Sequence, residues 1–241
     1  MKAAIIQARI GSERFPGKVL EKINGKPILE HVINRVKLSK LLDKVILAIP
    51  DGSQDNVLFN LAEKLNVICV RGSSENVLSR YSKAAKEVGA DTIVRITGDC
   101  PLIDSGIIDK MLEDFGKKEC DYLLNDARHK GHARGFDVDI FLLRSLEKTE
   151  KLADNDYYKE HITTFMLAHP EMFKIRYYEA PKNLYRPDYR LCVDEKLDFD
   201  LVTKIFNHFK PREDFSAEEI IEYLDKNPKI ASINENVKQR T

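Results

Sequence analysis

The sequence has no excess of either charge: 39 lysines and arginines stand against 39 aspartates and glutamates in 241 residues. Broad binding to DNA or RNA phosphates needs a clustered basic excess, so we expect no nucleic-acid partner. No apolar run approaches the roughly 18 residues that a membrane-spanning helix needs. The first apolar stretch, residues 2–8, is too short for a signal peptide and ends at Arg9. We therefore expect a cytoplasmic protein without a membrane segment.

Cysteine is also scarce. Four cysteines stand far apart, without a C-x-x-C pair: Cys69, Cys100, Cys120 and Cys192. We expect reduced thiols, because the chain carries no recognisable secretion signal. A zinc site would need closer ligand pairs. His129 and His132 have an H-x-x-H spacing, but their Gly- and Lys-rich surroundings lack the helical periodicity that would turn both rings the same way. The pattern does not favour a metal site there.

Two familiar nucleotide-binding fingerprints are missing. Five residues separate Gly11 from Gly17, and Val19 follows Lys18, whereas a P-loop needs four residues between its glycines and then Lys-Ser or Lys-Thr. The dinucleotide pattern G-x-G-x-x-G does not occur. Binding of NAD or FAD thereby loses its main support.

The hydrophobic pattern switches between strand-like and helix-like periods through about the first 120 residues. Strand-like runs cover residues 2–8, 44–49, 67–70 and 91–97, and helical patterns between and after them cover 27–38, 53–65, 75–88 and 105–115. Such alternation is typical of a parallel sheet with right-handed crossovers. We predict the α/β fold class: an open, mostly parallel, Rossmann-like sheet flanked by helices.

The regular alternation ends near residue 120. The later segments predict strands at 136–141, 172–178 and 189–193, and helices at 142–150, 156–168, 196–209 and 217–226. We interpret residues 1–227 as a single domain. Within it, residues 120–170 form a small arm or subdomain, and residues 228–241 follow it as a polar tail.

The loop after the first strand carries three cations, Arg9, Arg14 and Lys18, interleaved with glycines and Ser12. Open parallel sheets bind ligands at the carboxyl ends of their strands, where this loop begins. Glycines let backbone N–H groups approach an anion, and the cations neutralise its charge. The loop therefore predicts an anion site, with a plain charged connection as the alternative.

Carboxylates follow two other predicted strands. Asp99 lies in a Gly-x-x-Pro turn after residues 91–97, and Asp194 follows residues 189–193. Either could hold a hard cation such as Mg²⁺, or could simply cap the next helix. A loop of cations together with two strand-end carboxylates suits nucleotide phosphates bridged by Mg²⁺.

The run at residues 7–20, QARIGSERFPGKVL, resembles the signature of the cytidylyltransferases that activate acidic sugars. These are the 3-deoxy-manno-octulosonate and acylneuraminate enzymes, and the spore-coat polysaccharide branch is the most similar. Further similar blocks follow in order at residues 25–32, 71–81, 95–104, 134–139, 160–163 and 193–199. The resemblance implies a nucleotidyltransferase sheet and transfer of CMP from CTP to an anionic sugar or related acid or phosphate. Pyrophosphate would be released, in the biosynthesis of surface polysaccharides or glycoconjugates.

The resemblance also implies roles for individual residues. The residues implied in catalysis are Arg9, Arg14, Lys18 and Asp99, with Lys18 nearest the reacting phosphate. Those implied in nucleotide binding are Ala8, Gly11, Ser12, Arg71 and Arg80. The implied Mg²⁺ ligands are Asp99 and Asp194, and the implied acceptor-binding residues are Arg134, Asp137 and His161. The arm would also supply the contact of a homodimer.

One departure from the pattern bears on the acceptor. The last strand of the acylneuraminate enzymes ends in Asp-x-Asp, whereas here the sequence reads Cys192-Val193-Asp194. A single carboxylate at this point favours an octulosonate-like arrangement over activation of sialic acid.

Three alternatives stay open. A UTP- or GTP-dependent enzyme of the same fold would have a first loop closer to A-A-G-x-G-T-R than to the Gln7-Ala8-Arg9 found here. A non-catalytic nucleotide-binding module should have lost a metal ligand or the loop lysine, and this chain keeps both. A scaffold protein would give no reason for cations and carboxylates to gather at strand ends.

Overall fold

A computed structural model describes residues 1–125 and 131–238, and its centre is a seven-stranded sheet. The strands of the described chain are β1 (Lys2–Gln7), β2 (Lys22–Ile23), β3 (Lys26–Pro27), β4 (Lys44–Pro50), β5 (Ile68–Gly72), β6 (Thr92–Thr97), β7 (Tyr122–Leu124), β8 (Asp139–Leu142) and β9 (Ile175–Tyr177). The sheet order is β5-β4-β1-β6-β8-β7-β9, while β2 and β3 form a separate hairpin. Within the seven-stranded sheet, as far as the described residues go, only β8 runs antiparallel to its neighbours. The predicted open, mostly parallel α/β fold is confirmed.

Helices cover both faces of this sheet. They are α1 (Ile28–Val36), α2 (Asn56–Lys64), α3 (Val77–Val88), α4 (Ser105–Lys117), α5 (Leu143–Leu152), α6 (Asp156–Glu160), α7 (Thr164–Ala168), α8 (Lys196–Phe209), α9 (Ala217–Lys226) and α10 (Pro228–Ala231). None of the helices in the described ranges is both long and apolar enough to cross a membrane.

Alternate residues of each central strand point to opposite faces and so build two cores. In β1, Ala4 and Ile6 belong to the core under α1, α2, α4, α8 and α9. Ala3 and Ile5 belong to the other core, under α3, α5 and α7. Gln7 continues the second series at the end of the strand, so its side chain lies on the α3 face.

Side-chain and glycine caps define both ends of α3 and the start of α9. The Asn76 side chain accepts the Ser79 N–H at 2.9 Å where α3 begins, and α3 ends at Gly89 with a φ of 72°. Ser216 and Glu219 form a capping box where α9 begins, in agreement with the helix predicted from residue 217. The predicted bounds of α8 and α9 agree with the structure.

Several predicted elements differ from the structure. The strand predicted at 136–141 is β8 at Asp139–Leu142, and that predicted at 172–178 is β9 at Ile175–Tyr177. The helix predicted at 53–65 begins as a 3₁₀ turn at Ser53–Asp55. Pro27 pairs in β3 and precedes α1, so that helix is shorter than predicted. The predicted helix at 156–168 is two short helices, because His161 leaves the helical conformation and its carbonyl oxygen accepts the Thr164 hydroxyl at 2.5 Å. Residues 189–193 form no strand in the described chain; they bond instead to two loops, through Arg134 and Asp99.

Residues 120–170 do not stand apart from the main sheet. They supply β7 and β8, which pair with each other, and β8 also pairs with β6. The homodimer contact expected of this segment stays a prediction. His129, the first histidine of the H-x-x-H pair, lies outside the described residues. His132 is fully buried, and neither ring nitrogen has a hydrogen-bond partner among the described residues.

The prediction of a polar tail from residue 228 is wrong for residues 228–234. Helix α10 and a 3₁₀ turn at Ser232–Asn234 follow α9 directly. Asn234 is buried, and its amide nitrogen donates to the Arg190 carbonyl oxygen at 2.9 Å and to Asp198 Oδ1 at 2.7 Å. This segment therefore packs as part of the domain.

We predict that Asn234→Ala lowers the free energy of unfolding by about 2 kcal/mol, because two buried acceptors lose a donor. Urea unfolding followed by circular dichroism measures the change. Asn236→Ala is the matched control, since Asn236 is an exposed asparagine in the same segment. Equal stability of the two variants would contradict a structural role for Asn234.

Candidate active site

A cavity of about 430 Å³ opens at the carboxyl ends of β1 and β6. Strand β1 has β4 on one side and β6 on the other, so loops leave it at a switch point of the sheet, where open α/β folds bind ligands. Most of the residues predicted from the sequence line this cavity: Ala8, Arg9, Ser12, Arg14, Lys18, Arg80, Asp99, His161 and Asp194.

Backbone contacts hold the cation-bearing loop in place. The Ile10 N–H donates to Asp55 Oδ1 at 2.9 Å, and the Ile10 carbonyl oxygen accepts the Gly17 N–H at 3.2 Å. Asp55 precedes α2 but makes no side-chain cap bond to it, and it anchors this loop instead. Gly17 has a φ of 70° and leads into the 3₁₀ turn Lys18–Leu20. The turn directs Lys18 into the cavity wall.

The ends of β1 and β6 approach closely because residue 98 is glycine. The Gly98 N–H donates to the Gln7 carbonyl oxygen at 2.8 Å. A Cβ atom at residue 98 would lie 2.9 Å from that oxygen and 3.0 Å from the Ala8 Cβ. The glycine therefore lets the turn that carries Asp99 lie against the loop that carries Lys18.

The Lys18 ammonium lies between two carboxylates, 2.6 Å from Asp99 Oδ2 and 2.7 Å from Asp194 Oδ1. Arg14 adds a second cation, 3.0 Å from the same Asp194 oxygen. Burial opposes charge on Lys18, but the two carboxylates outweigh it and raise the lysine pKa. Burial likewise opposes charge on Asp194, but Lys18 and then Arg14 hold the pKa of this carboxyl well below its usual range.

Arg190 and Asp198 also hold Asp194 in place. Arg190 donates from Nη2 to Asp194 Oδ2 at 2.5 Å and from Nε to Asp198 Oδ1 at 3.0 Å. Asp198 in turn accepts the Asp194 N–H at 2.9 Å. The cap of α8 is Glu195, and the cap of α4 is Asp104. The alternative interpretation of Asp99 and Asp194 as helix caps is therefore excluded.

The donor set fits a hard divalent cation that shares its coordination with a ligand. Asp99 and Asp194 offer carboxylate oxygens, and no group of three or more potential ligands occurs among the described residues. Mg²⁺ typically takes one or two carboxylates and completes its shell with substrate phosphates and water. The nearby Cys100 and Cys192 are unsuited as ligands, because burial raises the pKa of both thiols.

The two predicted nucleotide-binding arginines differ in position. Arg80 of α3 lines the cavity; it is buried, donates to the Ser73 carbonyl oxygen at 2.6 Å, and has an unpartnered Nε. Arg71 lies outside the cavity wall, donates to Asn56 and packs over the Phe59 ring. Gly11 belongs to the first loop but does not line the cavity.

The predicted acceptor residues also divide. His161 lines the cavity, whereas Arg134 and Asp137 do not. Asp137 accepts the Gly135 N–H at 2.7 Å, and Gly135 has a φ of 102°. A Cβ atom at Gly135 would lie 2.6 Å from the Leu191 carbonyl carbon. These residues therefore support the segment that leads to Asp194.

Sequence reasoning assigned no role to several polar residues of the cavity wall: Gln7, Glu13, Arg95, Thr97 and Glu160. A signal was available for three of them. Gln7, Arg95 and Thr97 are polar residues on one face of two otherwise apolar central strands, near their carboxyl ends. A buried strand has little reason to carry polar side chains there unless they meet a ligand or one another.

Comparison with known proteins agrees with this geometry. The family model described as Cytidylyltransferase matches residues 3–237. An uncharacterized protein of Methanocaldococcus jannaschii is 40% identical over 237 residues, 98% of this chain and 96% of that protein. The spore coat polysaccharide biosynthesis protein SpsF of Bacillus subtilis is 33% identical over 235 residues, 96% of this chain and 97% of that protein.

A solved structure extends the likeness to the whole fold. A cytidylyltransferase from Leptospira borgpetersenii superposes with a TM-score of 0.90 at 34% identity, covering 100% of this chain and 99% of that chain. The family resemblance inferred from the sequence blocks is thereby confirmed. This chain belongs to the cytidylyltransferase family.

Proposed function

We propose that this protein is a Mg²⁺-dependent cytidylyltransferase. It transfers CMP from CTP to an anionic sugar or a related acid or phosphate and releases pyrophosphate, in the cytoplasmic synthesis of surface polysaccharides or glycoconjugates. The observation that carries the proposal is the convergence of Arg14, Lys18, Asp99 and Asp194 in one cavity after β1. The relation to a spore coat polysaccharide biosynthesis protein supports the pathway.

The chemistry needs alignment and charge more than covalent help. An acceptor oxygen attacks the α-phosphorus of CTP and forms a new P–O bond. The bond from that phosphorus to the bridging oxygen breaks, and pyrophosphate leaves with the electron pair. A proton on an attacking hydroxyl would pass to solvent or to His161, which lines the cavity. Arg9, Arg14 and Lys18 would stabilise the charge that collects on the transferred and departing phosphates.

Asp99 and Asp194 would hold the Mg²⁺, which when bound neutralises phosphate charge and aligns the oxygens of the reaction. The Lys18 ammonium lies between these carboxylates, and two cations cannot share one position. Metal binding therefore requires Lys18 to move. Its flexible four-carbon chain would let the ammonium bind a phosphate oxygen instead.

The nucleotide would lie along the first loop and Arg80, whose buried and unpartnered Nε offers a donor. Arg71 remains a weaker candidate, since it is occupied by Asn56 and Phe59. Arg134 and Asp137 would act on the acceptor only indirectly, by supporting the segment before Asp194.

We predict pyrophosphate release with CTP, but not with UTP, GTP or ATP, when each is supplied with Mg²⁺ and a panel of sugar acids and sugar phosphates. A coupled phosphate assay measures the release, and calorimetry measures nucleotide binding. Comparable release with UTP or GTP would establish the same-fold alternative. A protein that binds no CTP would contradict the proposal altogether.

We predict that Asp99→Asn lowers the rate of pyrophosphate release by about 100-fold or more, because one of two carboxylates for the metal is lost. The fold should persist, as judged by circular dichroism. Asp200→Asn is the control, since Asp200 is a partly exposed aspartate on α8 outside the cavity. Unchanged activity of Asp99→Asn would contradict the metal assignment.

A further inference from the structure

The floor of the cavity is formed by Gln7 of β1 and Arg95 of β6, on the face of the sheet covered by α3. Arg95 donates from Nε to Gln7 Oε1 at 3.3 Å, and the Tyr81 hydroxyl lies 3.0 Å from the same oxygen. A guanidinium nitrogen can only donate, so the amide oxygen of Gln7 must face Arg95. This fixes the amide orientation and leaves the two N–H bonds of Gln7 Nε2 without a partner in the described chain.

Hydrogen bonds also hold the Arg95 side chain in place. Its Nη1 donates to Asp139 Oδ2 at 2.6 Å, and Asp139 Oδ1 accepts the hydroxyl of the fully buried Tyr122 at 2.5 Å. Burial opposes the charge on Arg95, but Asp139 more than compensates and raises the guanidinium pKa above its ordinary value. Asp139 is outside the cavity wall, so its charge faces Arg95 rather than a ligand. The remaining terminal nitrogen, Nη2, has no partner within residues 1–125 and 131–238.

The floor therefore presents donors and no free acceptor: Nη2 of Arg95 and Nε2 of Gln7. A group that satisfies both donors must offer more than one acceptor atom, and a carboxylate or phosphate can accept from Arg95 Nη2 with one oxygen and from Gln7 Nε2 with another. A neutral sugar hydroxyl also has an acceptor oxygen, but it brings no negative charge to the Arg95 guanidinium, and its own proton finds no acceptor on Arg95 Nη2 or Gln7 Nε2.

Arg95 lies deeper in the sheet than the residues expected around the reacting phosphate, whereas Gln7 is the last residue of β1 and pairs with Thr97. Arg95 precedes Thr97 by two residues on β6, which places it about 7 Å below the strand end. Lys18, Asp99 and Asp194 lie beyond that end. A group bound to Arg95 would thus be a different group of the acceptor from the oxygen that attacks CTP.

We propose that Arg95 and the amide N–H groups of Gln7 bind an anionic group of the acceptor, a carboxylate or a phosphate distinct from the attacking oxygen. This inference rests on the proposed cytidylyl transfer and adds its specificity determinant. The Asp139–Tyr122 pair positions Arg95, and Tyr81 positions Gln7.

The experiment pairs each anionic acceptor with its neutral counterpart. The probes are 3-deoxy-manno-octulosonate with its methyl ester and glucose 6-phosphate with glucose, each with CTP and Mg²⁺. Both members of each pair keep the anomeric hydroxyl as the attacking group, so that only the separate anionic group differs. We expect pyrophosphate release with an anionic member only, and the active pair identifies carboxylate or phosphate. Equal use of a neutral member overturns this inference and leaves cytidylyl transfer intact. A wild-type protein that neither binds CTP nor releases pyrophosphate overturns both.

Single substitutions test which side chains bind the anionic group of the acceptor. We expect Arg95→Met to lower kcat/KM for the anionic acceptor by about 100-fold while the CTP dissociation constant stays within about threefold. Gln7→Met leaves the Arg95–Asp139 pair in place and should raise the acceptor KM by about tenfold. Arg176→Met is the control, because Arg176 of β9 forms a similarly buried pair with Asp114 outside the cavity.

Arg95→Met also leaves Asp139 unpaired, so the double variant Arg95→Met/Asp139→Leu guards against simple unfolding. It should show the same selective loss toward the acceptor. A loss of CTP affinity equal to the loss of acceptor use would place Arg95 with the nucleotide and overturn the inference. An unchanged acceptor KM in Gln7→Met and in a folded Arg95 variant would overturn it as well.

Discussion

The contact on which the site depends is the Lys18 ammonium between the carboxylates of Asp99 and Asp194. Two carboxylates that both reach one small cation repel each other strongly when that cation is removed from a half-buried position. The arrangement therefore always requires a positive charge at this point, either the ammonium or a metal ion. This requirement links the cation-bearing loop, the turn after β6 and the segment before α8.

The rest of the domain supplies the supports for that contact. Gly98 lets the ends of β1 and β6 approach each other, and the Val193 N–H donates to the Asp99 carbonyl oxygen at 2.8 Å, which places the second carboxylate beside the first. Behind Asp194, Arg190 is fixed by Asp198, and Asn234 bonds to both. Asn234 thus supports, through Arg190 and Asp198, the carboxylate that the segment before α8 contributes to the site.

Sequence reasoning succeeded where the determining interactions are local. Asp99 and the first loop directly follow buried strands, and α9 begins at a capping box within four residues, so pattern and spacing suffice. It failed where the determining contacts join segments that are far apart in the sequence. The Arg95–Asp139 pair depends on the antiparallel register of β6 with β8, and the role of Asn234 depends on a contact 44 residues away in sequence. No local pattern at 189–193 shows that its backbone bonds to loops.

The central claim is that the Lys18 ammonium and a divalent cation use the same position in turn. A crystal structure with a non-hydrolysable CTP analogue and Mn²⁺, located by its anomalous signal, tests this most directly. The account predicts the metal between Asp99 and Asp194, with Lys18 Nζ moved to a phosphate oxygen. Mn²⁺ bound elsewhere, with Lys18 still between the two carboxylates, would contradict it.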